Sequence, residues 1–349
     1  MSLSKQLVDY LAVSQALTGN TRKGIARMRE LAADEAVFVE VLNILTLGAL
    51  DGMSTLAEVV ASSAAMRAVA ANKTALMAMC SSDPAALAVA DSEVATSVIC
   101  SDIDILADAS GAQAFLRAVG ANASLAGSVA AAYAAAFDAL SWEDVSRASV
   151  FAAKAPAAFS SLVGKSRSVE IEGYGSHGFS VAAVGADTDG VSPIGFTFVC
   201  DDVVCETTMN ESNNKSTSWS STSMRGWLSG SLLSMFPTSL GRVIRATLKK
   251  SLCSNNKTET TSDKLWISSI DEVGLGSSDA AYPCFSGGNS SRIRKFEGKA
   301  RSWALRSVST SGYSSGSTIY SYYNAVGTDG KLTNLAQTIS SGVVPCFCI

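Results

Sequence analysis

The sequence predicts a multi-domain chain, with an all-α N-terminal part followed by an irregular α+β C-terminal part. Three observations carry that expectation. Residues 62–141 repeat every ten residues in an alanine-rich, helix-forming pattern. Near Ser160 alanine falls away while Ser, Thr, Gly and aromatic residues rise. From Trp303 to Ile349, short apolar words flank a polar centre of Tyr, Ser, Gly and Thr. With 349 residues there is room for two or three domains. The expected division is 1–60 (a helical anchoring and assembly region), 61–160 (a repeat stem) and 165–349 (the α+β part).

Residues 1–50 read as helices. Leu7, Leu11 and Ser14 share a face in the first. Asn20 or Thr21 caps a second that carries Ile25, Met28, Leu31 and Ala32 at helical spacing. Ala36 to Leu50 is apolar on most sides, which marks a buried helix, with an interface between subunits as one place for it.

The decapeptide repeat has its first position at Ser62, Asn72, Ser82, Ser92, Asp102 and Asn122, interrupted by Ala112. These are residue types that cap helix N-termini. The fourth position (Ala65, Ala75, Ala85, Ala95, Ile105, Phe115, Leu125, Ala135) is small or apolar, and so is the eighth, from Val69 to Ala139. Ten residues over three turns would be about 3.3 per turn, a poor match to the roughly 3.6 of a continuous α-helix. Recurrent caps and Pro84 favour two-turn helices joined by tight bends. Such a unit cannot bury its own face, so neighbours must stack. The bland alternative is an ordinary alanine-rich bundle. Neither reading places catalytic chemistry here, because the acids are scattered and lack a paired base.

Beyond Ser160, Val169–Ile171, Phe179–Val184 and Ile194–Cys200 read as short strands. Asp187-Thr188-Asp189-Gly190 has the start of a calcium loop without its later ligands, so a hairpin turn is expected. Ser221 or Ser223 caps a helix with Leu228, Leu232, Leu233 and Phe236 on its apolar face. A second helix is expected from Ser239 to Lys250, with the two terminal lysines at its negative end. Residues 251–262 read as loop, Lys264–Ser268 as strand and Ile270–Val273 as turn.

Charge excludes some functions. Residues 1–160 hold 10 basic and 16 acidic residues, and residues 161–349 hold 17 and 15, so neither part is basic enough for nucleic acid as the main partner. No apolar run suits a bilayer span, and Met1–Tyr10 lacks the pattern of a secretory signal. The eight cysteines and single His177 form no zinc pattern, and no metal or cofactor is expected. Most cysteines read as buried reduced thiols, with a Cys200–Cys205 disulfide as the less favoured alternative.

A fixed order of words runs through the C-terminal part. It comprises Trp219, Ser223-Met224-Arg225, Trp227-Leu228, Phe236-Pro237, Asp263-Lys264-Leu265-Trp266, Glu272-Val273 and Arg292-Ile293-Arg294. Trp303, Leu305-Arg306-Ser307 and Gly342 to Ile349 (G-V-V-P-C-F-C-I) complete it. Together these resemble a domain family of formally unknown function found at the C-terminus of phage tail and fibre proteins and of bacterial surface proteins. That family looks like a relative of the C-type-lectin and formylglycine-generating-enzyme fold. The decapeptide stem also resembles the repeats of phage fibre proteins. Ala304 stands where the family usually has an aromatic, and Val344 where it usually has arginine.

The resemblance implies a C-type-lectin-like domain over 165–349, with a variable binding surface just before the last strand. Ser309–Asn324 occupies that place with a composition suited to recognition, since Tyr gives stiff contact area and Ser, Gly and Asn give adaptable hydrogen bonds. A solvated loop is the plain alternative. The candidate ligand-binding residues are Tyr313, Ser314, Ser315, Tyr320, Tyr322, Tyr323 and Asn324. The expected protein is a phage fibre or tail-tip subunit in the virion, binding a host surface glycan or protein. It is expected to form a homo-oligomer, a trimer by preference, and to meet other virion proteins through its N-terminal region. Oligomerisation is expected because the stem alone would expose apolar surface. The alternatives are a purely structural virion part and a bacterial surface adhesin. An enzyme is not expected, because Cys346 and Cys348 lie in an apolar strand without a basic neighbour. Trp219, Trp227, Trp266 and Trp303 read mostly as core, and Arg306 as the partner of a buried carboxylate.

Overall fold

Decapeptide periodicity becomes a helical solenoid in the computed structural model. The structure describes residues 34–212, 218–254, 257–277, 281–309, 313–315, 318–320 and 322–349, with backbone alone for 313–315 and 318–320. The two helices expected within residues 1–33 lie outside the described residues. The chain divides into two compact units, Met1–Ala139 and Leu140–Ile349. The first is helical and the second is rich in β-structure.

Among the described residues of the first unit the helices are α1 (Glu35–Leu45), α2 (Leu56–Ala61), α3 (Ser63–Ala71), α4 (Lys73–Ser81), α5 (Asp83–Ala90), α6 (Glu93–Ile99), α7 (Ile103–Ala109), α8 (Gln113–Ala121) and α9 (Ala123–Ala136). From α3 to α9 each starts at the repeat's first position. Ser62, Asn72, Ser82, Ser92 and Asn122 each accept the backbone N–H three residues on, and Asp102 accepts that of Asp104. Ala112 takes the same extended backbone conformation with no side-chain cap. Each helix packs on the one three before it: α4 on α1, α5 on α2, α6 on α3, α7 on α4, α8 on α5 and α9 on α6. Three helices therefore make one superhelical turn.

The capping residues also join successive turns. Asn72 Nδ2 donates to Leu45 O at 2.7 Å, Ser92 Oγ to Val60 O at 2.7 Å and Asn122 Nδ2 to Ala90 O at 3.0 Å. One polar side chain thus satisfies a free N–H at its own helix and a free carbonyl one turn earlier. The contact positions Ala65, Met66, Val69, Ala75, Met79, Ala85, Val89, Ala95 and Ile99 are all buried within the single chain. Exposed apolar surface was the reason for expecting oligomerisation; the stacking of the chain on itself removes that reason.

The stem expected to reach residue 160 gives way earlier. Helix α10 (Trp142–Lys154) belongs to the second unit and packs on its sheet. A Cβ at Gly195 would fall on the Ser149 carbonyl oxygen, so only glycine admits the helix there.

The strands of the second unit up to residue 267 are β1 (Ser166–Ile171), β2 (Gly175–Thr188), β3 (Pro193–Cys200), β4 (Cys205–Thr207), β5 (Thr247–Leu252), β6 (Thr258–Asp263) and β7 (Trp266–Ile267). The later ones are β8 (Arg294–Phe296), β9 (Lys299–Arg301), β10 (Trp303–Val308), β11 (Tyr313–Ser315), β12 (Thr318–Tyr320), β13 (Tyr322–Val326), β14 (Leu332–Ala336), β15 (Ser341–Val343) and β16 (Pro345–Cys348). One sheet runs β1-β2-β3-β16-β7 and the other β14-β13-β10-β15-β4, while β5–β6, β8–β9 and β11–β12 are two-stranded. Phe198 and Phe347 stack at 5.1 Å in the core, with Trp142 and Phe179 around them. Such aromatic pairs add about 0.5–1.5 kcal/mol each beyond their buried area.

The expected strands around 169–171, 179–184 and 194–200 are present, and 189–192 is the hairpin turn between β2 and β3. Three expectations are corrected. The helix expected over Ser239–Lys250 ends at Val243, and Lys249 and Lys250 lie in β5 instead. Arg245 already bridges to Cys348, which draws the chain into extended structure. The loop expected over 251–262 contains the end of β5 and most of β6. The cap of the helix at Ser223–Trp227 is Thr222, whose hydroxyl accepts Arg225 N–H.

Candidate ligand-binding face and its buried support

Strand β10 is the spine of the second sheet. It pairs with β13 on one side and β15 on the other, and all six of its residues are buried. The Ser309–Asn324 segment leaves this strand and returns as β13. Ser309 N–H donates to Tyr322 O at 2.8 Å, which closes its base. Within it β11 pairs with β12, and the register sets Tyr313 opposite Tyr320, Ser314 opposite Ile319 and Ser315 opposite Thr318. Tyr313, Ser314, Ser315 and Tyr320 are thus gathered in one small hairpin, and Tyr322 stands half-buried at its root.

Tyr323 and Asn324 do not join them. Tyr323 is 1 % exposed and its hydroxyl donates to Ser218 O at 3.2 Å. Asn324 is buried, with Nδ2 donating to Val308 O at 3.4 Å. Both belong to the strand that carries the face. The error came from composition, which does not register where a strand begins to turn residues inward.

Strand β10 also carries part of a buried ionic network that the sequence reading largely missed. Arg306, fully buried in β10, donates through all five of its N–H groups. Nε reaches Ser251 Oγ at 3.1 Å, Nη1 reaches Ile267 O at 2.8 Å and Glu272 Oε2 at 2.6 Å, and Nη2 reaches Lys250 O at 3.1 Å and Glu272 Oε1 at 2.6 Å. This bears out the reading of Arg306 as a partner of a buried carboxylate. Lys249 Nζ meets Asp187 Oδ1 at 2.5 Å, Glu272 Oε1 at 2.7 Å and Tyr282 Oη at 2.7 Å, and lies 4.5 Å from the centre of the Trp266 ring. Tyr282 and Thr197 hydroxyls donate to Asp187 Oδ2 at 2.9 and 2.6 Å.

The charges balance as two cations and two carboxylates. Burial opposes the charge on Glu272, but Arg306 and Lys249 outweigh it and hold the carboxyl far below the usual range. Burial also opposes the charge on Lys249, which Glu272 and Asp187 nevertheless hold above the ordinary lysine value. Tyr282 is pushed well up, first by burial and then by the two carboxylates, so it stays a neutral donor. The one signal available in sequence was the alternation in T-L-K-K-S-L, which turns Thr247, Lys249 and Ser251 inward.

Burial pushes Cys346 up to about 12 and Cys348 well above its ordinary value. All eight are free thiols, so the Cys200–Cys205 disulfide is not formed. Trp219, Trp266 and Trp303 are core residues, while Trp227 is half-buried. Among the described residues no group of His, Cys, Asp and Glu is placed to hold a metal ion, and no helix is long and apolar enough to cross a membrane.

The family described as a domain of unknown function, DUF6273, matches residues 195–349. The match takes in the buried network except Asp187, and the whole Tyr-rich segment. No curated protein and no solved structure matches the chain.

Proposed function

We propose that this protein is a receptor-binding subunit of a phage fibre or tail tip. Its decapeptide solenoid serves as the stem and its C-terminal unit, of C-type-lectin-like type, as the binding head. The reading is supported above all by one observation: a polar, Tyr-rich segment continues from a strand, β10, that is buried along its whole length. Rigid support beneath an adaptable surface is the arrangement recognition sites use. The host ligand is a surface glycan or protein, the site of action is the virion, and several copies give avidity to weak single sites. The resemblance of the stem to phage fibre repeats supports the setting.

The test uses labelled full-length chain on a panel of bacterial isolates, beside a variant with Tyr313, Tyr320 and Tyr322 changed to Ala. Saturable binding to at least one isolate, lost in the variant, is the expected result. A folded chain that binds no isolate, yet assembles with other particle proteins, overturns the receptor-binding reading in favour of a structural virion part.

A further inference from the structure

The buried network holds one pair of groups that can react with each other. Lys249 on β5 and Asp187 on β2 are 2 % and 9 % exposed, and Lys249 Nζ lies 2.5 Å from Asp187 Oδ1. Glu272 Oε1 stands 2.7 Å from the same nitrogen. The Trp266 ring covers the amine at 4.5 Å and the Tyr282 ring at 5.4 Å. An amine, a carboxyl group and a second carboxylate thus meet away from water.

Local structure delivers Asp187 to this place. Val184 pairs with Phe196 and Asp187 with Ile194, so β2 carries one extra residue against β3. Such a bulge re-aims the side chains beside it. Ala186 and Thr188 are exposed, while Asp187 between them is buried.

The two carboxylates are set up differently. Glu272 is gripped by both arms of Arg306. Asp187 meets no arginine, and its two oxygens have unlike surroundings. Oδ2 accepts the hydroxyls of Tyr282 at 2.9 Å and Thr197 at 2.6 Å, whereas Oδ1 faces the amine. One oxygen is held by fixed donors and the other is placed against a nucleophile. As a plain ion pair this is a poor use of a core position, because buried pairs often stabilise less than apolar groups of the same volume.

We infer that Lys249 and Asp187 condense into an intramolecular isopeptide bond, with Glu272 carrying a proton. Nζ first passes one proton to Oδ1 within the pair, which makes the amine and the acid neutral together. The Nζ lone pair then adds to Asp187 Cγ, and the charge that develops on Oδ2 meets the Tyr282 and Thr197 hydroxyls. Glu272 takes a second proton from Nζ and returns it to Oδ1. The Cγ–Oδ1 bond breaks, Oδ1 leaves as water and Oδ2 remains as the amide oxygen. Nothing is oxidised or reduced, and no co-reactant is needed. The product removes one buried cation and one buried anion, and leaves Glu272 balanced by Arg306. Groups held in contact in this way react with effective concentrations of up to about 10⁵–10⁸ M. The bond ties β2 to β5 and closes residues 187–249 into a covalent loop. The inference stands independently of the receptor-binding reading.

The test is the intact mass of the full chain, purified folded and weighed in denaturant. It is expected to fall below the sequence mass by one water. Tryptic digestion is expected to yield a branched peptide that joins the Asp187 and Lys249 segments. That peptide separates the product from water lost as a succinimide at an Asp-Gly step such as Asp189-Gly190. Lys249→Arg keeps the charge and is expected to show its full sequence mass. Glu272→Gln is expected to form the bond about 10²-fold more slowly. Tryptophan-detected unfolding certifies that both variants fold, and if Lys249→Arg does not, the branched peptide of the natural chain decides alone. A folded natural chain that keeps its full sequence mass after prolonged incubation at neutral pH overturns the inference. So does a water loss that maps to any other pair of residues. Bond formation at an unchanged rate in Glu272→Gln overturns the part given to Glu272.

Discussion

Arg306→Ala removes the hub of the buried network. It strips five hydrogen bonds, including both arms of the pair with Glu272, and leaves that carboxylate buried with Lys249 as its one remaining cation in the network and the Ser269 N–H as a second donor. Breaking a buried pair by deleting one partner costs about 3–5 kcal/mol, because the remaining charge keeps its desolvation penalty. That is a large share of the roughly 5–15 kcal/mol that a domain has in total. The assay is urea unfolding followed by tryptophan fluorescence. All five tryptophans lie between Trp142 and Trp303, so this signal reports the C-terminal unit alone. With a slope near the upper end of the usual range, about 3 kcal/mol/M, the midpoint falls by roughly 1–1.7 M. Far-ultraviolet ellipticity, dominated by the α1–α9 solenoid, keeps its own transition. Arg306→Lys retains the charge but loses the planar fork, and falls between the two. A midpoint shift under about 0.3 M for the Ala variant, near 1 kcal/mol on that slope, refutes the account of Arg306 as a hub.

Three further outcomes are expected. Glu272 has its pKa depressed on folding, so its contribution is fully present above the ordinary carboxylate value of about 4.3 and is lost as pH falls toward its lower folded value. The tryptophan-detected midpoint therefore declines below about pH 5, and Glu272→Gln flattens that decline; an unchanged slope in the variant contradicts the linkage. Ala112→Ser supplies the missing cap of the repeat and raises solenoid stability by about 1 kcal/mol, read as a higher melting temperature at 222 nm, whereas Ser92→Ala loses both a cap and an inter-turn bond and lowers it by more. With burial raising Cys80 and Cys346 to about 12, a neutral-pH thiol reagent labels them only after denaturant is added, and rapid labelling of these two in the folded chain would contradict the burial.

The readable parts of this chain were the local ones. A residue that caps its own helix acts within three positions, so Ser62, Asn72 and their successors showed in sequence what they do in space. Strands β1 to β3 were legible for the same reason, through short runs of β-branched and aromatic residues. Lys249 was misread because Leu240, Val243, Ile244 and Leu248 imitate helical spacing, and only the bridge from Arg245 to Cys348 breaks the pattern. The network itself joins residues as far apart as Asp187 and Tyr282, and no window along the chain contains both. The candidate face was found by composition and then trimmed by burial, since Tyr323 carries the same side chain as its neighbour Tyr322 but points into the sheet.

The solenoid also acts as a counter. Because three decapeptides close one turn, gaining or losing ten residues turns the last helix of the solenoid by about a third of a revolution relative to its first. Gaining or losing thirty restores the phase and changes only the length. Recombination between equivalent caps, such as Ser62 with Ser92 or Asn72 with Asp102, is therefore a phase-preserving edit. A gene built this way can lengthen or shorten its product in whole turns without redesigning either end.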